Sequence, residues 1–203
     1  MIPVAPSKIV CIGRNYLAHA QELGNELPPE PLIFLKPPSA LLPPEAPIVL
    51  PPQSAQVEYE GEIGVVLLDR VRNLSLEEAG RLRLGFTCVN DVTARDLQKK
   101  DGQWSRAKGF DTFCPVGPRV VEGLDWRALE VRTRVNGTEK QHGRTADMAY
   151  GIPVILAHIS AAMTLLPGDL IATGTPAGVG RLASGDVVEV EVTGVGVLRN
   201  PVA

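Results

Sequence analysis

The chain has 203 residues, 44% of them hydrophobic and 21% charged, with a formal net charge of −3. That length suits one well-buried core and is short for two, and the near-balanced charge gives no electrostatic footprint for nucleic acid. The start MIPVAPSKIVCIGRNY lacks the basic lead and apolar core of a signal peptide, and no later apolar run reaches the roughly 18 residues that span a bilayer, so a cytoplasmic protein without a membrane partner is expected.

In chain order, SKIVCIGRNY predicts a short buried strand ending at Gly13, and NYLAHAQELG a helix of two or three turns with a glycine stop. The proline-dense stretch LPPEPLIFLKPPSALLPPEAPIVLPP interleaves Leu, Ile, Phe and Val, which predicts an ordered, winding segment on the core rather than a disordered linker. QVEYEGEIGVVLLDRV predicts a strand pair or one long strand. SLEEAGRLRLGF opens with Ser75 and Glu78 at capping-box spacing, predicting a helix that stops at Gly85. FTCVNDVTARDLQKK is β-branched at its start and polar after Asn90, so a strand should deliver Asn90 and Asp91 to a turn.

Further on, LEVRTRVNG alternates and ends in Asn136-Gly137, a strong hairpin signal. IPVILAHISAAMTL is the strongest helix pattern in the chain, and the glycine-rich tail, alternating from Val187 to Val192, predicts short strands with tight turns. The 18 prolines and 20 glycines leave little room for long helices. The sum predicts a β-rich α+β fold and a single catalytic domain over 1–203. Residues 1–50 carry the first strand, the short helix and the proline-rich segment, and residues 51–203 the β-rich core. Cys11, Cys88 and Cys114 are odd in number and widely spaced, which suits core filler rather than disulfides or a CxxC metal site.

The chemistry begins with VEYEGEIGVVL. On a strand, Glu58, Glu60 and Glu62 share one face about 7 Å apart, so either solvent screens them or a cation holds them. A solvated face is the commoner outcome, but EGEIGVVL and FTCVNDVTA are otherwise of buried type, and a buried carboxylate must be paired or bound to metal. Glu60 and Glu62, with Asp91 as a third oxygen ligand, suit a hard divalent cation. Glu58 lies outside that apolar context and reads as an exposed or supporting acid. His19 and Glu22 stand at i and i+3 on the short helix, either a surface pair or a carboxylate-oriented general base. Lys108, in SRAKGFDTFCPVGP, is either a solvated loop lysine or a cation for a developing oxyanion.

Taken in order, IGRNYLAHAQE, PLIFLKPPSAL, VEYEGEIGVV, VNDVTARDLQ, AKGFDTFCPVGP and GDLIATGTPAGVG with its valine-rich tail resemble the fumarylacetoacetate hydrolase family, closest to its small acylpyruvase and oxaloacetate decarboxylase branch. The resemblance runs from about residue 8 to the C-terminus. It implies a mixed, β-rich roll, usually a homodimer. It also implies a Mg²⁺ or Mn²⁺ ion, with Ca²⁺ as a substitute a crystal can contain, held by Glu60, Glu62 and Asp91. Lys108 stands beside the metal, and His19 with Glu22 forms a lid-helix pair. Gln98 and Thr175 attend the substrate's carboxylate end, and Arg14 and Tyr16 flank the lid. The implied substrate is a small α-keto or dienol acid, and the implied reaction is hydrolysis of acylpyruvates, decarboxylation of oxaloacetate, or both. Isomerisation or decarboxylation of 2-hydroxyhepta-2,4-diene-1,7-dioate, or a related hydration, is the alternative chemistry, and an inactive metal-binding relative the alternative class. Gly61 departs from the family pattern, where a larger apolar residue is common.

Overall fold

Continuous apolar runs set the centre of the molecule. In the computed structural model, which describes residues 4–22 and 24–203, the chain gives β1 (Ile9–Gly13), α1 (Leu17–Glu22), β2 (Leu32–Lys36), β3 (Leu41–Leu42), β4 (Val57–Tyr59), β5 (Gly61–Leu67), α2 (Leu76–Arg81), β6 (Leu84–Asn90) and β7 (Thr93–Ala94). It continues with α3 (Arg95–Asp101), α4 (Ser105–Gly109), β8 (Cys114–Glu122), β9 (Glu130–Val135), β10 (Thr138–Arg144), α5 (Ile152–Ala162), β11 (Leu170–Ala172), β12 (Gly180–Arg181), β13 (Val187–Val192) and β14 (Gly196–Pro201). Residues 1–3, part of the stretch read for a targeting signal, and residue 23, in the predicted first helix, lie outside the described residues. No helix among the described residues is long and apolar enough to cross a membrane.

The strands form a seven-stranded sheet in the order β2-β1-β11-β5-β6-β8-β3, a four-stranded sheet β10-β9-β13-β14 and a three-stranded sheet β12-β4-β7. Pairing is antiparallel except for β1 with β11 and β3 with β8, so the expected mixed, β-rich fold with short helices is what forms. Every residue of β5 and β6 is buried, as a strand covered on both faces requires. The helix α5 lays Ile152, Ile155, Leu156 and Ile159 into the same cluster as Ile63, Phe86 and Val190. Each such side chain contributes roughly 1.5–3 kcal/mol by leaving water. The tail strand β13 alternates half-buried and buried residues, and Asn136 and Gly137 turn the β9–β10 hairpin at φ 53° and 77°. The three cysteines are buried and unpaired.

Two expectations need correction. The capping box at Ser75 and Glu78 is present, but α2 ends at Arg81 rather than at Gly85. Leu84–Asn90 pairs with both β5 and β8, and that burial overrides the local helix preference of RLRL. Lys108, for which a solvated loop was one of two readings, is instead buried on a helix, α4, which follows β7 and α3.

The acid-rich stretch is a strand pair. β4 belongs to the three-stranded sheet and β5 to the seven-stranded one, with Glu60 at the joint. Its N–H donates to Asn90 Oδ1 at 2.9 Å, and its carbonyl accepts from the Asp91 N–H at 2.8 Å, so the two acid-bearing segments are tied together by the backbone. Gly61 makes the joint possible: a Cβ there would stand 1.9 Å from Thr133 Oγ1 of β9.

The start of the chain is pinned by Asp169, whose side chain is fully buried. It accepts from Ser7 N–H at 3.0 Å, Ser7 Oγ at 2.7 Å, Leu166 N–H at 2.8 Å and the Lys8 ammonium. Burial pushes its carboxyl up, but these donors outweigh burial and hold it below the usual carboxylate range. A folded value below the unfolded one, about 3.9, adds stability above that pH and loses it as pH falls through the folded value. Asp169→Asn should therefore cost about 2 kcal/mol at pH 7. In thermal melts the gap from wild type should narrow as pH falls below about 3.9 and through the lower folded value, and a gap independent of pH would remove the ionic account.

Candidate functional site

The turn between β1 and α1 is built by Asn15. Its Nδ2 donates to the carbonyls of Tyr150 and Thr173 at 3.1 and 2.8 Å, and its Oδ1 accepts the Tyr150 N–H at 2.8 Å. This holds α1 over the C-terminal end of β11. Between them lies a narrow cavity lined by Arg14, His19, Phe34, Trp104, Gln98 and Thr175 around the acidic floor.

That floor is Glu60, Glu62 and Asp91. All three are buried, and their nearest ligand oxygens lie within 4.8 Å of one another. Glu60 Oε2 and Asp91 Oδ2 accept from Lys108 Nζ at 2.7 and 2.6 Å. Asp91 Oδ1 accepts from Lys36 Nζ at 2.7 Å, and the Arg95 guanidinium pairs with Glu60. Glu62 is treated differently. Among the described residues its hydrogen-bond donor is the Gly174 N–H, at 2.7 Å, from a backbone at φ 100° where a Cβ would stand 2.7 Å from Asn15 Cβ.

The ionisation states follow from these partners. Burial pushes Glu60 up, but Lys108 and Arg95 outweigh it and hold the carboxyl far below its usual range. Glu62 is driven well above that range by burial and by the Asp91 and Glu60 charges. For Lys108, burial acts downward, Asp91 and Glu60 act upward, and the net shift is upward, so the ammonium stays charged. Four buried carboxylates here, Glu58 included, face three buried cations, Lys36, Arg95 and Lys108. The donor set therefore fits a divalent ion: three hard oxygen ligands, one of them under strong like-charge pressure that a cation relieves.

The predicted residues mostly come together. His19 is buried, with Nδ1 3.4 Å from Glu22 Oε2, and Glu22 in turn accepts the Gly178 N–H at 3.1 and 3.2 Å. Thr175 Oγ1 donates to the Gly61 carbonyl at 2.9 Å and accepts from Gln141 Nε2 at 2.7 Å. Arg14, at φ 57°, places its guanidinium 5.9 Å from the Trp104 ring centroid. Tyr16 is buried, its hydroxyl has no hydrogen-bond partner among the described residues, and it does not line this cavity.

Glu58 is not an exposed acid. It is 7% exposed, and its Oε2 accepts from Arg95 Nε at 2.8 Å. Lys36 and Arg95 were missed altogether. A lysine closing the apolar run LIFLK was the available signal for the first; the second had none, since its burial depends on β4 pairing with β7.

A buried carboxylate triad with a lysine across two of its members, set on a mixed sheet under a short helix, is a group of oxygen donors that could hold a metal ion. The chain belongs to the fumarylacetoacetate hydrolase family: the model of the Fumarylacetoacetate (FAA) hydrolase C-terminal region matches residues 8–203. It is 42% identical to the mitochondrial oxaloacetate decarboxylase of Dictyostelium discoideum over 92% of this chain and 89% of that one. It is 40% identical to the oxaloacetate tautomerase YisK of Bacillus subtilis over 99% of this chain and 71% of that one. Among solved structures, the 2-hydroxyhepta-2,4-diene-1,7-dioate isomerase from Mycobacterium marinum superposes with a TM-score of 0.92 at 50% identity, covering all of this chain and 76% of that one.

Proposed function

We propose that the protein is a Mg²⁺- or Mn²⁺-dependent enzyme that carries a small α-keto acid through its enolate, decarboxylating oxaloacetate and hydrolysing acylpyruvates at one site. The observation that carries this reading is Lys108, whose ammonium bridges Glu60 and Asp91 at the floor of a cavity that also holds His19. Glu60, Glu62 and Asp91 would hold the ion, which supplies Lewis-acid stabilisation of negative charge on the substrate's oxygens.

The chain's own residues do the rest. Lys108 directs N–H donors toward the oxygen on which charge develops, and burial makes that interaction stronger than it would be in water. In decarboxylation the C–C electrons pass to the enolate as CO₂ leaves, and a proton then adds at the carbon that lost it. In acylpyruvate hydrolysis His19, held by Glu22, takes a proton from the water that attacks the distal carbonyl. C–C cleavage then gives a carboxylic acid and the enolate of pyruvate. Phe34 and Trp104, stacked edge to face at 5.1 Å between centroids, wall the cavity against bulk water.

A second reading, isomerisation of a 2-hydroxydienoate, is supported by the isomerase among the solved relatives and needs proton transfer without water attack. Acetylpyruvate, oxaloacetate and a 2-hydroxydienoate assayed with Mg²⁺ and Mn²⁺ separate the readings. Turnover of the first two supports the proposal, and turnover of the dienoate alone replaces it with the second. His19→Ala should lower acetylpyruvate hydrolysis about 10²–10⁴-fold and oxaloacetate decarboxylation much less. Equal losses would remove His19 from the water-activating role.

A further inference from the structure

We infer that Glu58, Arg95 and Gln98 form a hydrogen-bonded chain that fixes which way the Gln98 amide faces, so that the site meets the far end of its substrate with N–H donors. The inference rests on the proposed reading of the cavity as an α-keto acid site. It adds Glu58 and Arg95 as positioning residues.

An arginine side chain only donates, so whatever atom of Gln98 it bonds must be the oxygen. Arg95 Nη1 donates to Gln98 Oε1 at 2.6 Å, three residues on in the same helix. That commits the oxygen and turns Nε2 away from Arg95. Gln98 lines the cavity, and no hydrogen bond from its Nε2 to another described residue is present. Two donor hydrogens are therefore left for a ligand. Arg14 lines the same cavity and brings a second donor group. An acceptor such as a carboxylate is matched there, whereas a donor or a methyl group leaves polar hydrogens unpaired, a loss that sites use to discriminate.

The orientation is only as firm as Arg95, and Arg95 is fixed on every side. It is 3% exposed, its Nε donates to Glu58 Oε2 at 2.8 Å, and its Nη2 pairs with Glu60. Glu58 is held in turn by Gln56, whose Nε2 donates to Oε1 at 2.6 Å. The Arg95 N–H donates to the Gln56 carbonyl at 2.7 Å, so the start of α3 and the strand bearing Glu58 are anchored to each other. Burial acts to lower the arginine's pKa, the Glu60 and Glu58 carboxylates outweigh it, and the guanidinium stays charged. Glu58 thus serves the cavity without lining it.

The experiment has a substrate-free arm and a kinetic arm, both on the full chain with Mg²⁺ present. In side-chain ¹⁵N NMR, Glu58→Gln should move the Gln98 Nε2 signal and speed exchange of the Arg95 Nε hydrogen at least tenfold. Unchanged signals would overturn the chain whatever the enzyme's reaction proves to be. In kinetics with oxaloacetate, Glu58→Gln should raise KM about three- to tenfold and Gln98→Glu at least tenfold. Binding of oxalate, a probe with an α-keto-acid-like end and no distal arm, should stay within twofold of wild type by calorimetry. A KM that moves for Gln98→Glu but not for Glu58→Gln would refute the positioning role. Oxalate affinity lost in both variants would refute it too, by showing damage to the floor of the site. A wild type that does not turn over oxaloacetate sinks the functional reading alone, and the NMR arm still decides the chain.

Discussion

Glu62→Gln yields a metal-free protein more stable than the wild type and unable to bind Mg²⁺ with wild-type affinity. Glu62 is buried beside Asp91 and Glu60, with the Gly174 N–H as its hydrogen-bond donor, while Lys108, Lys36 and Arg95 serve the other two acids. A glutamine keeps an oxygen for Gly174 and offers its NH₂ to a neighbouring carboxylate, so the substitution removes repulsion without leaving a polar atom unpaired. The expected gain is about 1–3 kcal/mol at pH 7, a part of the several kcal/mol that burying an uncompensated ion costs. For a chain of this length that is about 2–4 °C in Tm per kcal/mol. Because burial, Asp91 and Glu60 raise the carboxyl of Glu62, the folded state binds more protons than the unfolded one above about pH 4.3. Metal-free wild type should therefore gain stability as pH falls from 7 toward 5, and its difference from Glu62→Gln should narrow. Saturating Mg²⁺ at 100 times its Kd should add about 2.7 kcal/mol to the wild type and little to the variant. A variant less stable than metal-free wild type at pH 7 would show that Glu62 is not under like-charge strain.

Lys108→Met works in the opposite direction. It removes the buried cation that Glu60 and Asp91 share, leaving Arg95 alone for the first and Lys36 alone for the second, a change worth up to about 3–5 kcal/mol of lost stability in the metal-free protein. Added Mg²⁺ should restore part of that loss, since a divalent ion replaces the missing charge for the same two carboxylates. It should not restore turnover: an N–H donor aimed at a developing oxyanion is worth roughly 10²–10³ in rate. Melts with and without Mg²⁺, alongside oxaloacetate turnover, check both parts. Turnover within tenfold of wild type in the Mg²⁺-loaded variant would remove Lys108 from the chemistry.

How much of this was legible in the sequence depends on whether the deciding contact is local. Glu60, Glu62 and Asp91 could be singled out because charges interrupt segments that otherwise read as buried strand, and burial of a carboxylate demands a partner. The same rule left Glu58 as either an exposed or a supporting acid, and it is the exposed half of that reading that fails. The rule assumes one strand, whereas the chain changes sheets at Glu60 and β4 is buried by its pairing with β7 and β12, contacts far along the sequence. Arg95 and Lys36 reach the acids from 35 and 55 residues away, distances at which no periodicity speaks. Helices α3 and α4 were unreadable for another reason. KKDGQWSRAKG has no apolar stripe, and α4 is a five-residue turn of helix stabilised by where Ala107 and Lys108 are buried, not by its own propensity. Where signals were local, as with the Ser75 capping box, the Asn136-Gly137 hairpin and the alternation of β13, the elements formed where the sequence put them.

The central claim is that Glu60, Glu62 and Asp91 together bind one divalent cation. Calorimetric titration of Mg²⁺ into metal-free wild type, Glu60→Ala and Glu62→Gln tests it most directly. One ion per chain for the wild type, with affinity lowered at least 100-fold in each variant, is the predicted result. Wild-type Mg²⁺ affinity retained in either variant would contradict the claim.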